Sequence, residues 1–316
     1  MPPNASFDKG AAIEEWTDTH FFRPIGLRIA RVCFPTGVSP DHVTLMALVV
    51  GLVAGRLCFY DDVRLNALGV VLFVVSDIFD SADGQLARMR GTSTRFGKIL
   101  DGLSDGLRFA NLYVQLIARM LVAGDAWWFA IPLGVAAGLA HARQSGAVDY
   151  IRQLYMHFAE GGGEFNLAED MDAVPANGPW ARFQVRFYRN YLDSTSRMLP
   201  KSVQLVRRLR AGTAPVGVSG GWAATQLPVV RQCAWIGQNI RFAILAVTVV
   251  PGQPAAYLWI TLIPMTCVLI AILVVHERRA TLLAGGAPVA NHSGRSYHDG
   301  VAPGGPADRL STRSGT

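Results

Sequence analysis

Residues 76–105 read SDIFDSADGQLARMRGTSTRFGKILDGLSD. Asp77, Asp80, Asp83, Asp101 and Asp105 lie in or beside two otherwise apolar stretches. A carboxylate at the centre of a membrane span costs on the order of 3 kcal/mol on insertion scales, so five unpaired ones cost on the order of 15 kcal/mol. That exceeds the margin by which most proteins are stable. The aspartates must therefore face a wet cavity near a membrane surface, and something cationic must offset their repulsion.

Helical spacing says which of them converge. Asp80 and Asp83 sit about 60° apart around a helix, with Gly84 and Ala87 close to the same stripe. Gly97, Asp101 and Asp105 follow one another at intervals of four and form a second stripe. The short turn over 88–96 makes the two helices antiparallel neighbours, so two aspartates from each face one gap. Four carboxylates around one oxygen-rich site suit hard divalent cations, Mg2+ or Mn2+, two of them. Asp77 is about 120° from Asp83 and is expected in a supporting role, such as partner to a buried arginine like Arg108. Gly84 is read as leaving room for a ligand, Gly102 and Gly106 as helix-packing positions.

The rest of the chain supplies the setting. It has 316 residues, 51% of them hydrophobic, a mean hydropathy of +0.27 and 16% charged residues, against about 25% charged in ordinary soluble domains. This excludes a disordered chain and argues against a cytosolic enzyme. The fold class expected is all-α: a polytopic membrane protein with six transmembrane helices and an N-terminal interfacial amphipathic helix over Phe21–Phe34. The spans fall at about Val43–Tyr60, Leu65 to the Asp80 region, Phe96–Val122, Trp127–Val148, Val229–Val250 and Ala255–Val275. The division is residues 1–42, a cytosolic N-terminal segment; 43–148, the first four spans with the carboxylates; 149–227, a cytosolic insert; 228–280, the last two spans; and 281–316, a disordered tail. Gly212–Gly221 reads as a flexible linker. Residues 1–20 are polar and acidic, so no signal peptide is expected.

Orientation follows from the basic residues near span ends. With the N-terminus inside, the inner face collects Arg23, Arg28, Arg31, Arg88, Arg90, Arg95, Lys98, Arg143, Arg152, Arg278 and Arg279, eleven in all, against Arg56, Arg64 and Arg119 outside. Both termini are expected in the cytoplasm, the membrane being the bacterial inner membrane. The net charge of +6 is assigned to an anionic membrane surface or phosphate-bearing substrate, not nucleic acid. Cys33, Cys58, Cys233 and Cys267 show no paired spacing, so neither a zinc site nor a disulfide framework is indicated.

The carboxylate pattern resembles the CDP-alcohol phosphotransferase family, whose signature is D-x-x-D-G-x-x-A-R, eight residues, then G-x-x-x-D-x-x-x-D. Asp80, Asp83, Gly84, Ala87, Arg88, Gly97, Asp101 and Asp105 match every fixed position. The resemblance covers roughly 20–155 and 228–280 and includes Ser39-Pro40-Asp41-His42-Val43-Thr44. Family members commonly have Pro-Asn there, with Thr or Ser three residues later; Asp41 is a departure. The resemblance implies a metal-dependent transferase. A CDP-alcohol is the donor, a second alcohol attacks its phosphate, and CMP leaves. By the same resemblance Asp80, Asp83, Asp101 and Asp105 hold two cations, Asp105 is also the general base, and Thr44, Asp83, Gly84, Ala87, Arg88 and Gly97 line the nucleotide pocket. It further implies membrane lipids as partners and a homodimer.

The acceptor pocket is sought among polar residues in apolar spans: Arg143, beside His141 and Gln144, and Gln238, Asn239 and Arg241. An arginine there binds an acceptor phosphate bidentately, or forms a structural ion pair such as Arg241 with Asp77. Three readings compete: a transferase using CDP-diacylglycerol in phospholipid or related polar-lipid synthesis; the same chemistry with a soluble CDP-alcohol and a lipid or polyol acceptor; and a divalent-cation transporter or binding protein. Clustering of the aspartates at one depth disfavours the last.

Overall fold

A computed structural model describes residues 13, 15–92, 95–159, 165–215 and 218–285. Eleven α-helices run through them: α1 (Arg23–Cys33), α2 (Pro40–Leu57), α3 (Val63–Arg90), α4 (Arg95–Val122), α5 (Trp127–Ala159), α6 (Pro179–Ser196), α7 (Pro200–Arg210), α8 (Val218–Gln232), α9 (Gln238–Thr248), α10 (Pro254–Leu262) and α11 (Pro264–Ala284). Short 3-10 turns cover Ala168–Ala173 and Cys233–Ile236. No strand occurs among the described residues, so the all-α expectation holds. Three stretches there are long and apolar enough to cross a membrane: Pro40–Leu57, Val63–Arg90 and Pro254–Ala284, the last being α10 and α11 in succession. Helices α4 and α5, at 28 and 33 residues, have the length as well.

Caps fix the starts of the helices that carry the aspartates and their supports. Ser39 caps α2: its hydroxyl accepts from the His42 amide (3.3 Å), and the Ser39 amide donates to His42 Nδ1 (3.1 Å), with Pro40 in the first turn. This places Thr44 one turn into the helix. Arg90, at the end of α3, donates to the carbonyls of Cys33, Phe34, Thr36 and Val38 at 2.6–3.1 Å. One guanidinium thereby satisfies the α1–α2 turn and ties it to α3. At the opposite end Asp62 caps α3. Buried Arg119 reaches Asp61 (2.7 Å) and the carbonyls of Cys58 and Val249 there.

The interior divides into clusters at different heights. One joins α2 through α5 with α9 and α10, and includes Phe73, Leu112, Tyr113, Leu116, Phe242 and Tyr257. A second joins the lower half of α5 to α7, α8 and α11, around Tyr150, Leu154, Phe158, Val206 and Trp222. A small third cluster seats α1 on α2 and α3 through Ala30, Val43, Ala82 and Leu86.

Several expected boundaries move for this reason. The fourth span was expected to end at Val148, but α5 runs on to Ala159 because Tyr150, Ile151, Leu154, Tyr155 and Phe158 are buried in the second cluster. The fifth, Val229–Val250, is not one helix: α8 stops at Gln232 and α9 starts at Gln238. Gly237 leaves helical conformation (φ −73°, ψ 175°), with the Glu15 carboxylate where a Cβ would stand. Arg241 donates to the Ile236 carbonyl beside the break (3.2 Å). Of the expected linker Gly212–Gly221, the part from Val218 is helical, and Trp222 just beyond it is buried against Phe158. Helices α5 and α8 each cross one expected edge of the insert. The Gly161–Gly163 break and the tail beyond 285 lie outside the described residues.

Helices α2 and α3 pack closely through Gly69. A Cβ there would stand 2.9 Å from the Ala54 carbonyl oxygen and 3.2 Å from Cys58 Sγ. Gly69→Ala is expected to cost about 1–3 kcal/mol by overpacking. Gly106→Ala, with nothing within 4 Å among the described residues, is expected to be neutral or slightly stabilising. Thermal unfolding in detergent checks the contrast.

Candidate active site

The aspartates meet on the facing sides of α3 and α4. One carboxylate oxygen each from Asp80, Asp101 and Asp105 lies within 4.8 Å of the others. The cation the sequence demanded is Arg108, one turn beyond Asp105 on α4 and 2% exposed. Its Nη1 donates to Ser76 Oγ (2.6 Å) and Asp77 Oδ1 (3.3 Å), and its Nη2 to Asp80 Oδ1 (3.2 Å) and Asp105 Oδ1. Ser76 passes the chain on by donating to the Ala47 carbonyl on α2 (2.7 Å). Asp77 thus has the arginine partner expected of it. Exposure rises from Asp77 (18%) through Asp80 (28%) to Asp105 (44%), so the cluster opens on the Asp105 side.

Arg108 reaches this position because α2 makes way for it. A Cβ on Gly51 would collide with Arg108 Cδ and Cγ and stand 2.9 Å from Ser76 Oγ. One turn on, Asn111 of α4 crosses α2 and donates to the Leu52 carbonyl (2.9 Å). Phe73 and Phe109 stack alongside, centroids 6.1 Å apart. The central place of Arg108 was only partly visible in the sequence, where its spacing from Asp105 was the available signal. Nothing in the sequence marked Gly51.

The remaining residues of the motif take distinct positions. Asp83 is buried, and its Oδ2 accepts from the Thr44 hydroxyl at 2.5 Å. It stands one turn from Asp80, outside the three-oxygen group. Gly84 is half-buried; among the described residues a Cβ there would meet Arg88 Nη1 alone, at 3.4 Å. Ala87 and Gly97 are half-buried on their stripes. Asp101 Oδ1 is buried without a hydrogen-bond partner among the described residues. Such an orphan oxygen beside two further carboxylates is a donor set that fits a hard cation.

Of the four residues expected at an acceptor pocket, Gln238, Asn239 and Arg241 begin α9 and Arg143 lies on α5. Asn239 Nδ2 donates to Glu15 Oε2 (2.7 Å) and Thr17 Oγ1 (2.6 Å), strapping the N-terminal segment to α9. Gln238 is half-buried in the first turn of α9. Arg241 is buried, and its Nη2 donates to Gln144 Oε1 (2.7 Å). Gln144 in turn donates to the Thr261 carbonyl and Thr266 Oγ1, each at 3.0 Å. The ion pair considered for Arg241 with Asp77 is not formed, because Arg108 holds Asp77. His141 bonds the Tyr113 hydroxyl (3.0 Å). Arg143 is exposed and lines a separate cavity of about 270 Å³ with Asp193, Ser194, Arg197 and Met198. Free cysteines account for all four thiols.

Replacing Arg108 leaves three half-buried carboxylates without their shared cation. Arg108→Gln is expected to lower stability in chelator by about 3–5 kcal/mol, and added Mg2+ to restore more of it than wild type gains. Thermal unfolding with EDTA or Mg2+ checks this; equal Mg2+ responses would show that arginine and metal do not share the carboxylates.

Comparison with known proteins bears on the same stretch. Residues 38–151 match the family model for CDP-alcohol phosphatidyltransferase, a narrower region than the expected resemblance, which also took in 228–280. A phosphatidylinositol phosphate synthase of Mycobacterium bovis is 36% identical over 110 residues, 34% of this chain and 45% of the relative. One from Mycobacteroides abscessus is 29% identical over 136 residues, 42% and 56% of the two chains. A ceramide phosphoethanolamine synthase of Drosophila melanogaster is 30% identical over 110 residues, 31% of this chain and 27% of the relative. The chain thus spans about half the length of the bacterial relatives it matches. The matched region includes every residue of the carboxylate motif and its arginine, and on that ground the chain carries a CDP-alcohol phosphatidyltransferase domain over residues 38–151.

Proposed function

We propose that this membrane protein transfers a substituted phosphate from CDP-diacylglycerol to a polar alcohol, releasing CMP, at the cytosolic face of the bacterial inner membrane. The observation that carries the reading is the convergence of Asp80, Asp101 and Asp105 oxygens within 4.8 Å, on a motif matching the family signature at all eight fixed positions. Asp80, Asp83, Asp101 and Asp105 are the residues that would hold two divalent cations, Mg2+ or Mn2+. When bound, such ions neutralise the donor diphosphate and the charge developing on the leaving phosphate.

The chain's own groups do the rest. Asp105 is the most exposed of the carboxylates on Arg108, so an incoming hydroxyl reaches it first. It takes that proton as general base while Arg108 fixes its orientation. Thr44 holds Asp83 through its hydroxyl. Gly84 and Ala87 leave room for the nucleotide along the α3 stripe, and Arg88 lies at its edge. The six-span arrangement, with both termini in the cytoplasm, belongs to this proposal, as does a homodimer.

The names of the bacterial relatives, phosphatidylinositol phosphate synthases, favour a phosphorylated inositol as acceptor. The insect relative, named for a phosphoethanolamine-bearing ceramide, favours a second arrangement in which a soluble CDP-alcohol donates to a lipid. Purified protein with Mg2+, CDP-diacylglycerol and inositol phosphate is expected to release CMP and form a lipid product identifiable by mass. Soluble CDP-alcohols paired with ceramide or diacylglycerol test the alternative. Cation flux into vesicles without CMP release from any pairing would replace the enzyme reading by a transporter. Asp105→Asn is expected to reduce turnover by about 10²–10⁴-fold, with nucleotide binding retained. Asp80→Asn is expected to raise the Mg2+ concentration needed for half-maximal rate. Wild-type turnover in the first variant, or an unchanged Mg2+ requirement in the second, overturns the respective role.

A further inference from the structure

Helix α6 lies outside the matched domain and divides into three faces. Gln184, Leu192 and Thr195 are buried. The adjacent Tyr191 lies across α5: a Cβ on Gly146 would stand 3.2 Å from its ring, and its hydroxyl donates to Asp149 (2.9 Å). Trp180, Phe183 and Phe187 form a second face. Their rings stack in a row, with centroids 5.5 and 6.2 Å apart, and are 59%, 50% and 43% exposed. Exposed Arg182, Arg186 and Arg189 make the third face, Arg189 being paired with Asp172 (2.9 Å).

We propose that α6 is a membrane-surface anchor, its aromatic row seated in the headgroup region of the cytosolic leaflet and Arg182 and Arg186 facing anionic lipid. Three observations select this occupant. Gly146 and Asp149 stand where the apolar run of α5 gives way to polar residues, so α6 leaves the bundle at the depth of the membrane surface. Its composition, tryptophan and phenylalanine beside arginines, suits an interface that is apolar on one side and anionic on the other. Charge complementarity separates the two occupants: an anionic leaflet meets both the aromatic row and the flanking Arg182 and Arg186, whereas a two-fold contact of the aromatic rows leaves the arginine face unused.

The proposal rests on the membrane-embedded reading, and the test separates the two. Full-length protein is reconstituted in phosphatidylcholine vesicles, with or without phosphatidylglycerol, containing lipids brominated near the headgroup. The emission of Trp180 is taken as wild type minus Trp180→Phe. It is expected to be strongly quenched by bromine, more so with phosphatidylglycerol, and Arg182→Gln with Arg186→Gln is expected to abolish the difference between vesicles. An unquenched Trp180 overturns the proposal, whether its emission is red-shifted in water or blue-shifted against a second copy. Insensitivity to phosphatidylglycerol overturns the choice of anionic lipid. Trp128, exposed near the start of α5, serves as control: quenching there with none at Trp180 defeats the α6 anchor alone, and none at either defeats the embedding itself.

Discussion

A guanidinium placed among carboxylates in an apolar bundle governs the architecture of this protein. Asp77, Asp80, Asp83, Asp101 and Asp105 contribute five negative charges and Arg108 one positive, a formal −4 if Arg108 alone is counted among the cations. The two divalent cations of the proposed reaction would carry the opposite charge. Without the arginine the local excess would be larger, and neighbouring carboxylates would resist sharing ionised states. With it, part of the repulsion is offset by a group that cannot leave, and Asp80 and Asp105 are tied to one fixed point. The carboxylates are thus oriented by the fold before any ligand arrives, the condition that electrostatic catalysis would need in the proposed reaction.

Holding that guanidinium requires the rest of the packing. Gly51 removes a side chain from α2 so that the Arg108 stem can cross it, and Ser76 accepts from Nη1 while donating to the α2 backbone. The close approach of α2 and α3 at Gly69 and the Arg90 clamp on the α1–α2 turn fix where α2 begins, and with it Thr44, which donates to Asp83. Small residues and backbone acceptors do this work because an apolar environment offers little driving force for helices to associate by burial alone.

Much of this was legible from one stretch of sequence. Acidic residues in apolar spans are so costly that their presence pointed to a wet, cation-binding site; their intervals of three and four pointed Asp80, Asp83, Asp101 and Asp105 at one gap, of which the structure gathers Asp80, Asp101 and Asp105 and leaves Asp83 with Thr44. The need for an internal cation was also legible; its identity less so. Arg108 and Arg241 look alike in sequence, each an arginine in the middle of an apolar span. One faces carboxylates. The other is held by the Ile236 carbonyl just before its helix and by the Gln144 amide, a partner 97 residues away that no spacing rule connects. The break at Gly237 was hidden for a related reason: hydropathy reads straight through it, whereas the N-terminal Glu15 that sits over it comes from the far end of the chain.

Burial in a second core explains the other surprise. A scan for apolar runs ends α5 where arginine and aspartate appear, but its lower half continues as the centre of a second core. There Trp222, Tyr150 and Leu154 are fully buried. The segment after α5 is therefore a built element with its own interior. Its charges are ordered too: Glu169 meets Arg207, Asp170 meets Arg210 and Asp172 meets Arg189. Those pairings hold the 3-10 turn at Ala168–Ala173 against α6 and α7. A core of this kind fixes α6 to the lower end of α5 instead of leaving it on a tether, so the aromatic row on its outer face points in one direction relative to the bundle.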